Sequence, residues 1–349
     1  MTIPHTVIEF LYLVAATLFI LGLKGMTRPK TAVRGNLLGA CGMLVAVVAT
    51  LFNVIGFAWI LAGMILGGAV GAYIALTIKM EKMPEMVGLL NGLGGAASFL
   101  VAGAEFYRQC TPIEVPEEGW TSYPLVTALK DTNLTTYVPA EFLSVDALIA
   151  TALSGIIGAV TLSGSFVAFA KLAELSFVKK MKPLPQQQII NAALAIVILL
   201  VTIWMVNSPG QFQYWLIVIL GLALGYLLTI SIGGADMPVV IALLNSYSGL
   251  AAAATGFVLS NNVLIISGSL VGASGLILTK IMCDAMNRSL PAVLFGSLGP
   301  TADGPSADEV YATVKSTSAD EVAMMLDIAR RVVIVPGYGM AVAQAQHAV

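Results

Sequence analysis

Nine long apolar runs constrain this chain more than any other feature of its sequence. A helix that crosses the hydrocarbon core of a bilayer needs about 20 mostly apolar residues, because that core is about 30 Å thick. We number the runs as spans one to nine: Thr6–Leu23, Leu37–Val54, Phe57–Ile78, Pro84–Tyr107, Leu143–Ala170, Ile189–Val206, Phe212–Ile232, Pro238–Leu259 and Val263–Met282. They predict an all-α polytopic membrane protein.

Composition supports a membrane protein and excludes several other classes. Apolar residues make up 58% of the 349 residues and charged residues only 10%, against about 25% charged in soluble domains. So few charges exclude a disordered chain, a nucleic-acid binder and an ordinary soluble enzyme. The three cysteines show neither a disulfide framework nor metal-like spacing. Both histidines, His5 and His347, lie outside the spans, so no histidine inside the membrane can carry protons.

Basic residues indicate how the chain is oriented. Lys and Arg concentrate in the cytoplasmic loops of membrane proteins. Here they lie in the loops after spans one, three and five: Lys24, Arg28, Lys30 and Arg34; Lys79 and Lys82; Lys171, Lys179, Lys180 and Lys182. We therefore expect the amino terminus outside and the carboxyl terminus in the cytoplasm. The longer fourth loop, Gln109–Phe142, suggests no specific role.

Spans three and four resemble spans seven and eight. Met83–Ala97 reads MPEMVGLLNGLGGAA, and Met237–Ala251, 154 residues later, reads MPVVIALLNSYSGLA. Upstream, the same offset matches Gly67, Ala69, Gly71 and Ile78 with Gly221, Ala223, Gly225 and Ile232. Both pairs cross the membrane in the same direction, so the sequence predicts a parallel internal repeat, and functional sites tend to lie between such repeats.

Asn91 and Asn245 occupy the same place in the two repeats, seven residues after a proline. At 1.5 Å per residue this places each amide roughly 10 Å into the membrane. Asn91, Gly95 and Ser98 share one helix face. In one interpretation both asparagines stabilise helix packing through interhelical hydrogen bonds. In the other they line a hydrated ion path, where an amide, which does not titrate, holds water or orients a neighbour.

Two other segments carry candidate residues. Span nine contains Gly268 and Gly272 in G-x-x-x-G spacing, which predicts close helix packing, with Ser274 as a candidate pathway hydroxyl. Asp236 lies in the cytoplasmic turn SIGGADMP. It is either a solvated carboxylate or a cap for span eight, or its neighbouring glycines admit another part of the protein.

The segment after Cys283 is more polar and predicts a structure outside the membrane. Ser318 and Glu321 fit a capping box before a short amphipathic helix. Val332–Pro336 is predicted to be a buried strand, and a glycine-rich turn and an alanine-rich segment follow it. Strand, glycine-rich turn and helix start in this order indicate the beginning of a dinucleotide-binding, Rossmann-like α/β domain.

These observations divide the chain into three parts. We expect a transmembrane domain at 1–290, a linker at 291–317 and the beginning of the Rossmann-like domain at 318–349. A complete nucleotide-binding fold takes on the order of a hundred residues more. We therefore expect a chain that is truncated early in this domain and is inactive by itself.

Five stretches carry a family resemblance over essentially the whole chain. They read MPEMVGLLNGLGGAA, GADMPVVIALLNSYSGLAAAATGFVLSNN, SGSLVGASG, IMCDAMNRS and PGYGMAVAQAQ. Together they resemble the beta subunit of the proton-translocating NAD(P) transhydrogenase. The resemblance implies a Re/Si-specific oxidoreductase complex of the bacterial inner (plasma) membrane. In it, hydride passes from NADH on an alpha subunit to NADP on the beta subunit, coupled to proton passage, and the assembly is a dimer of alpha–beta units.

The resemblance also implies roles for individual residues. Asn91, Asn245 and Ser274 match positions of the proton channel, and Asn91 stands where some members have histidine. A protonatable group on a partner helix is then expected. Asp236 matches a turn residue that senses the nucleotide domain. The NADP-binding loop would contain Gly337, Tyr338, Gly339 and Val342, and no metal site is expected.

A secondary ion or solute transporter with a regulatory cytoplasmic tail is the alternative. The parallel repeat and the glycine-rich spans suit it equally well. Charges at mid-membrane depth would favour a transporter, but the candidates lie near the ends of their spans: Glu9, Glu85, Glu105, Asp146 and Lys280. Transhydrogenase is therefore the leading hypothesis.

Overall fold

The computed structural model describes residues 5–52, 57–79, 82–110, 144–175, 184, 186–295, 317–335, 337, 340 and 344–349. All regular secondary structure in these ranges is helical. Nine of the described helices are long and apolar enough to cross a membrane, which confirms the prediction of nine spans. Most of the fourth loop, most of the linker and the basic residues Lys179, Lys180 and Lys182 lie outside the described ranges.

The predicted spans correspond one by one to helices α1 to α9. These are α1 His5–Met26, α2 Pro29–Leu51, α3 Phe57–Thr77, α4 Met83–Cys110, α5 Val145–Leu172, α6 Gln187–Asn207, α7 Gln211–Ile230, α8 Met237–Val258 and α9 Asn262–Ala285. Only α2 begins far from its predicted start, because Pro29 sits in its first turn, where the fixed φ of proline favours helix. Several basic residues that we expected in loops lie in the ends of α1, α2 and α5: Lys24, Lys30, Arg34 and Lys171.

The centre of the membrane unit consists of α4, α5 and α8, which pack against one another. α7 packs on α5, and α9 packs on α8. A Cβ built on Gly95 of α4 would lie 2.6 Å from the carbonyl oxygen of Gly158 on α5. On α8, a Cβ on Gly249 would lie 2.5 Å from the backbone nitrogen of Gly272 and 2.8 Å from the oxygen of Gly268. The close packing predicted from the G-x-x-x-G spacing of span nine is thus confirmed.

The first three helices are peripheral. α1 and α2 form a pair with glycines at its contact, and α1 also touches α9. α3 is exposed along its most apolar stretch, and a Cβ on Gly63, Gly67 or Gly71 would meet no described atom within 4 Å. Among the residues described, this helix therefore has no extensive packing partner.

A short segment connects α7 to α8 and carries Asp236. After α7, residues Gly234–Asp236 form one turn of 3-10 helix, and α8 begins directly afterwards. We call this side of the membrane unit the Asp236 end. Helix α10, Leu290–Phe295, packs there against α8 and α9 with Val293 buried. The stretch predicted as a linker from residue 291 therefore begins as a packed helix.

Residues Gly299–Val349 form a unit separate from Met1–Leu298. Helix α11, Ala319–Ile328, begins where the capping box predicted. The Ser318 hydroxyl accepts a hydrogen bond from the Glu321 backbone N–H at 3.3 Å. The Glu321 carboxylate accepts from the Thr317 hydroxyl at 2.8 Å, so only one half of the box is formed.

The predicted strand at Val332–Pro336 is wrong over the residues that the structure describes. Val332–Val335 are exposed and form no strand, and Pro336 lies outside the described ranges. A strand needs a neighbour to satisfy its backbone groups, and no described residue of this unit provides one. Residues 344–348 form turns rather than a continuous helix. The start of a Rossmann-like domain stays a prediction.

Candidate functional site

Asn91 lies on the buried face of α4 together with Gly95 and Ser98, as its helical spacing predicts. Its side chain is 8% exposed, and its Nδ2 donates a hydrogen bond to the carbonyl oxygen of Ile241 on α8, at 3.3 Å. The amide therefore joins the two helices that carry the repeated asparagines. This bond fits the packing interpretation of Asn91.

Asn245 has different surroundings although its sequence position is equivalent. It lies one helical turn beyond Ile241 on α8 and is partly exposed. Among the residues described, its side chain makes no hydrogen bond, so its amide remains able to bind water or a group of another chain. Gly94 and Ser248, which also hold equivalent places, meet between α4 and α8: a Cβ on Gly94 would lie 2.6 Å from the Ser248 hydroxyl. That contact agrees with a parallel repeat, which stays a prediction for the complete spans.

Ser165 of α5 adds a third polar group at this depth. Its hydroxyl is buried without a hydrogen-bond partner among the described residues. A Cβ built on Gly92, next to Asn91, would lie 3.1 Å from the Cβ of Ser165. We call Asn91, Ser165 and Asn245 the polar layer. Because buried polar groups are normally paired, the unpaired hydroxyl of Ser165 makes the layer a suitable place for water.

A cluster of three buried residues lies further along the same helices. The hydroxyls of Ser154 on α5 and Thr255 on α8 are 2.8 Å apart. They lie 3.2 and 3.4 Å from the carbonyl oxygen of Ser98 on α4. We call these residues the hydroxyl cluster, and it links the three central helices. Sequence analysis missed Ser154 and Thr255, since a single hydroxyl in an apolar run gives no sign of which helix it faces.

Ser274 does not belong to this interior. It is exposed on α9, and its hydroxyl donates to the carbonyl oxygen of Val271 in its own helix at 3.0 Å. Its neighbours Gly272 and Gly275 face α8 instead, where they contact Leu250 and Ser246. Within this chain, the structure does not bring Ser274 together with the asparagines.

Asp236 is neither a solvated carboxylate nor a side-chain cap. Its side chain is 13% exposed and makes no capping hydrogen bond to α8. Its Oδ2 lies 3.7 Å from Nη1 of Arg288, while Oδ1 has no hydrogen-bond partner in the described part of the chain. Cβ atoms built on Gly233 and Gly234 would meet no described atom within 4 Å, so the expected close approach does not come from this part of the chain. Arg288 was not singled out from the sequence.

Lys171 is a second charged residue at the Asp236 end that sequence analysis did not interpret. Its ammonium donates hydrogen bonds to three carbonyl oxygens, those of Thr229 and Ile230 at the end of α7 and that of Ile232 just after it. The only signal was its place at the end of a long apolar run. From the sequence, Lys171 served only as one of the basic residues that indicate the orientation of the chain in the membrane.

The predicted NADP loop lies almost wholly outside the residues that the structure describes. Tyr338, Gly339 and Val342 are outside the described residues. The carbonyl oxygen of Gly337 accepts from the backbone N–H of Met340 at 3.1 Å, in a turn without a preceding strand. The described residues do not form a nucleotide site by themselves, and these contacts stay a prediction. Among the same residues, no group of three His, Cys, Asp or Glu side chains could hold a metal ion.

Comparison with known proteins decides between the two functional hypotheses. The family described as "NAD(P) transhydrogenase beta subunit" matches residues 8–349. The chain belongs to this family. Two curated relatives named NAD(P) transhydrogenase subunit beta, from Rhodospirillum rubrum and from a strain of that species, are each 40% identical over 351 residues. The alignments cover 99% of this chain and 70% of each relative.

Membership of this family shows which kind of complex the membrane helices belong to. The chain is a membrane subunit of an NAD(P) transhydrogenase, and the family implies an alpha subunit as its partner. The family also binds NADP(H) in general. Family membership therefore favours the transhydrogenase hypothesis over a transporter with a regulatory tail.

Proposed function

We propose that the chain couples hydride transfer from NADH to NADP with proton passage through the polar layer. The observation that carries the proposal is a difference between two equivalent amides, one of which makes a hydrogen bond to another helix while the other makes none with the described residues. Asn91 donates to the backbone of α8, whereas the amide of Asn245 makes no hydrogen bond with the described residues. Together with the unpaired hydroxyl of Ser165, this arrangement supports a short hydrated path between α4, α5 and α8.

A proton path through this layer needs a group that titrates. Neither Asn91 nor Asn245 can supply it, since an amide does not change its charge. We propose that a helix of the alpha subunit brings the protonatable side chain. Ser274 is exposed on α9 and would take part if that helix covers its face of α9.

Coupling requires that the nucleotide state alters the membrane unit. We propose that Asp236, in the turn before α8, responds to the carboxyl-terminal nucleotide domain. The beta chain would bind NADP there with Gly337, Tyr338, Gly339 and Val342, and NADP supplies the hydride acceptor when bound. A changed contact at Asp236 biases α8 between two positions, which alters access to the polar layer. In this proposal the complex is a Re/Si-specific dimer of alpha–beta units with cytoplasmic carboxyl termini.

The test uses the beta subunit assembled with its alpha subunit in liposomes. Asn245→Leu removes the unengaged amide and leaves an apolar side chain of similar size. We expect the stimulation of NADP reduction by an imposed proton gradient to fall about tenfold or more, as loss of about 1.4 kcal/mol of barrier stabilisation would produce. NADP binding should stay unchanged.

Asn207→Leu is the matched control, because Asn207 is exposed at the end of α6 and donates only to its own helix. It should respond to the gradient as the unaltered complex does. NADP reduction that ignores the gradient in the unaltered complex would refute the proposed function. Loss of NADP binding in Asn245→Leu would show a folding defect in place of a blocked path.

A further inference from the structure

Lys171 ties the last turn of α5 to the end of α7. Its Nζ lies 3.1 Å from the carbonyl oxygen of Thr229, 2.7 Å from that of Ile230 and 2.6 Å from that of Ile232. An ammonium group has three N–H donors, so these bonds use its entire donor capacity. They join two helices that are 58 to 61 residues apart in the sequence.

The physical reason lies in the way a helix ends. The last four carbonyls of an α-helix lack intrahelical partners, and a helix carries partial negative charge at its carboxyl end. α7 has no basic residue in its own last turn. The carbonyl oxygen of Thr229 also accepts from the backbone N–H of Ile232 at 3.2 Å. Lys171 of the neighbouring helix therefore supplies the donor for the carbonyls of Ile230 and Ile232, and the positive charge for this helix end. The carbonyl of Ile232, the third acceptor, already belongs to the segment that leads to Asp236.

On one side, the segment beside this contact is open among the residues that the structure describes. Cβ atoms built on Gly233 and Gly234 would have no described atom within 4 Å. A cavity of about 270 Å³ lies there, lined by Ala170, Lys171, Glu174, Leu175, Ile232, Gly233 and Gly234. On the other side, the Asp236 side chain meets Arg288. The turn therefore contacts a lysine at its start and an arginine at its end, and no described atom lies close to the two glycines between them.

We propose that Lys171 is a positioning residue for the coupling reaction. It fixes residues 231–236 relative to α5. The size of the movement that a displacement of Asp236 causes in α8 and the polar layer therefore depends on Lys171. Without the ammonium, the carbonyls of Ile230 and Ile232 lose this donor, and the turn moves independently of α5. This inference rests on the proposed function, but its structural part can be measured separately.

The test compares Lys171→Met, Lys171→Arg and Lys280→Met in the assembled alpha–beta complex. Lys280 is an exposed lysine in the last two turns of α9 and serves as the matched control. Amide hydrogen exchange reports the turn, and gradient stimulation of NADP reduction reports coupling. In Lys171→Met we expect exchange at residues 231–236 to rise about tenfold, because charge-assisted hydrogen bonds are lost. Gradient stimulation should fall several-fold.

Lys171→Arg should recover both measurements in part, since a guanidinium keeps the positive charge and donates several hydrogen bonds, although its planar fork does not make three bonds from one nitrogen. Lys280→Met should change neither. Unchanged exchange at residues 231–236 in Lys171→Met, or equal effects in Lys280→Met, would overturn the proposal.

If amide exchange in Lys171→Met becomes faster throughout the membrane unit, the variant is destabilised as a whole, and Lys171→Arg then provides the test. The proposal is supported if Lys171→Arg slows exchange at residues 231–236 again and also regains gradient stimulation of NADP reduction. It is overturned if the exchange becomes slow again and the stimulation does not return. If the unaltered complex ignores the gradient, the proposed function fails, and exchange still decides whether Lys171 holds the turn.

Discussion

Asp236 and Arg288 form an ion pair, and we expect removal of the two charges to change the stability of the membrane unit by different amounts. Arg288→Met leaves a mostly buried carboxylate without its cation. Asp236→Asn keeps the shape of the side chain and leaves an arginine that is half exposed to solvent. We therefore expect Arg288→Met to destabilise the membrane unit more than Asp236→Asn does.

The magnitude follows from the distance and the exposure of the two side chains. At 3.7 Å between Nη1 and Oδ2, the attraction is about 4 kcal/mol at an effective dielectric constant of 20 and about 1 kcal/mol in bulk water. Arg288 is 49% exposed and Asp236 13%, so solvent screening favours a value of about 1–2 kcal/mol. The stranded carboxylate brings the cost of Arg288→Met to about 2–3 kcal/mol, against about 1 kcal/mol or less for Asp236→Asn.

The measurement is the thermal unfolding midpoint of the assembled complex at fixed scan rate and lipid content. For a unit of this size, 1 kcal/mol corresponds to about 2 °C. We expect a decrease of about 4–6 °C for Arg288→Met and about 2 °C or less for Asp236→Asn. The double variant should resemble Asp236→Asn, because no buried charge is left unpaired.

Two results would refute this reasoning. Equal decreases for the two single variants would show that burial of the carboxylate does not set the cost. A double variant whose decrease is the sum of the single decreases would show that the two charges do not interact.

The remaining predictions concern a helix contact and a helix cap. Gly249→Ala places a Cβ 2.5 Å from the backbone of Gly272 and should lower the unfolding midpoint by an amount equivalent to about 1–3 kcal/mol, whereas Gly67→Ala on α3 should be tolerated. An unchanged midpoint in Gly249→Ala would contradict the close approach of α8 and α9. Ser318→Ala should weaken α11 by about 1 kcal/mol, visible as faster amide exchange in its first turn, and Ser318→Asp should retain the protection. Equal exchange in the two variants would contradict this cap.

Helix positions could be predicted from the sequence because the bilayer fixes the length of an apolar run. The packing of those helices could not. α3 and α8 are both long, apolar and rich in small residues, yet α3 is exposed and α8 lies in the centre. In a membrane, side chains that face lipid and side chains that face protein are both apolar, so hydropathy does not separate them.

The site could be predicted only where a sequence pattern marked it. The repeated asparagines were found from the repeat, but their different hydrogen bonding depends on how α4 crosses α8. Lys171 and Arg288 act across helix ends that are far apart in the chain, and no spacing rule connects them with Asp236. The strand at Val332–Val335 failed for a related reason, because an apolar β-branched run forms a strand only beside a neighbour.

The hydroxyl cluster has a mechanical consequence for α8. It fastens this helix near one terminus, at Thr255, while Asn245 and Asp236 lie about 15 Å and about 28 Å away along the helix axis. If α8 tilts by about 5° around that fixed point, and α4 and α9 follow it at Ile241 and Gly249, Asn245 shifts by about 1.3 Å and Asp236 by about 2.5 Å. The helix then works as a lever with its fulcrum at Thr255. A displacement at Asp236 arrives at Asn245 reduced by about half, a step comparable to the difference between a hydrogen bond that is made and one that is broken.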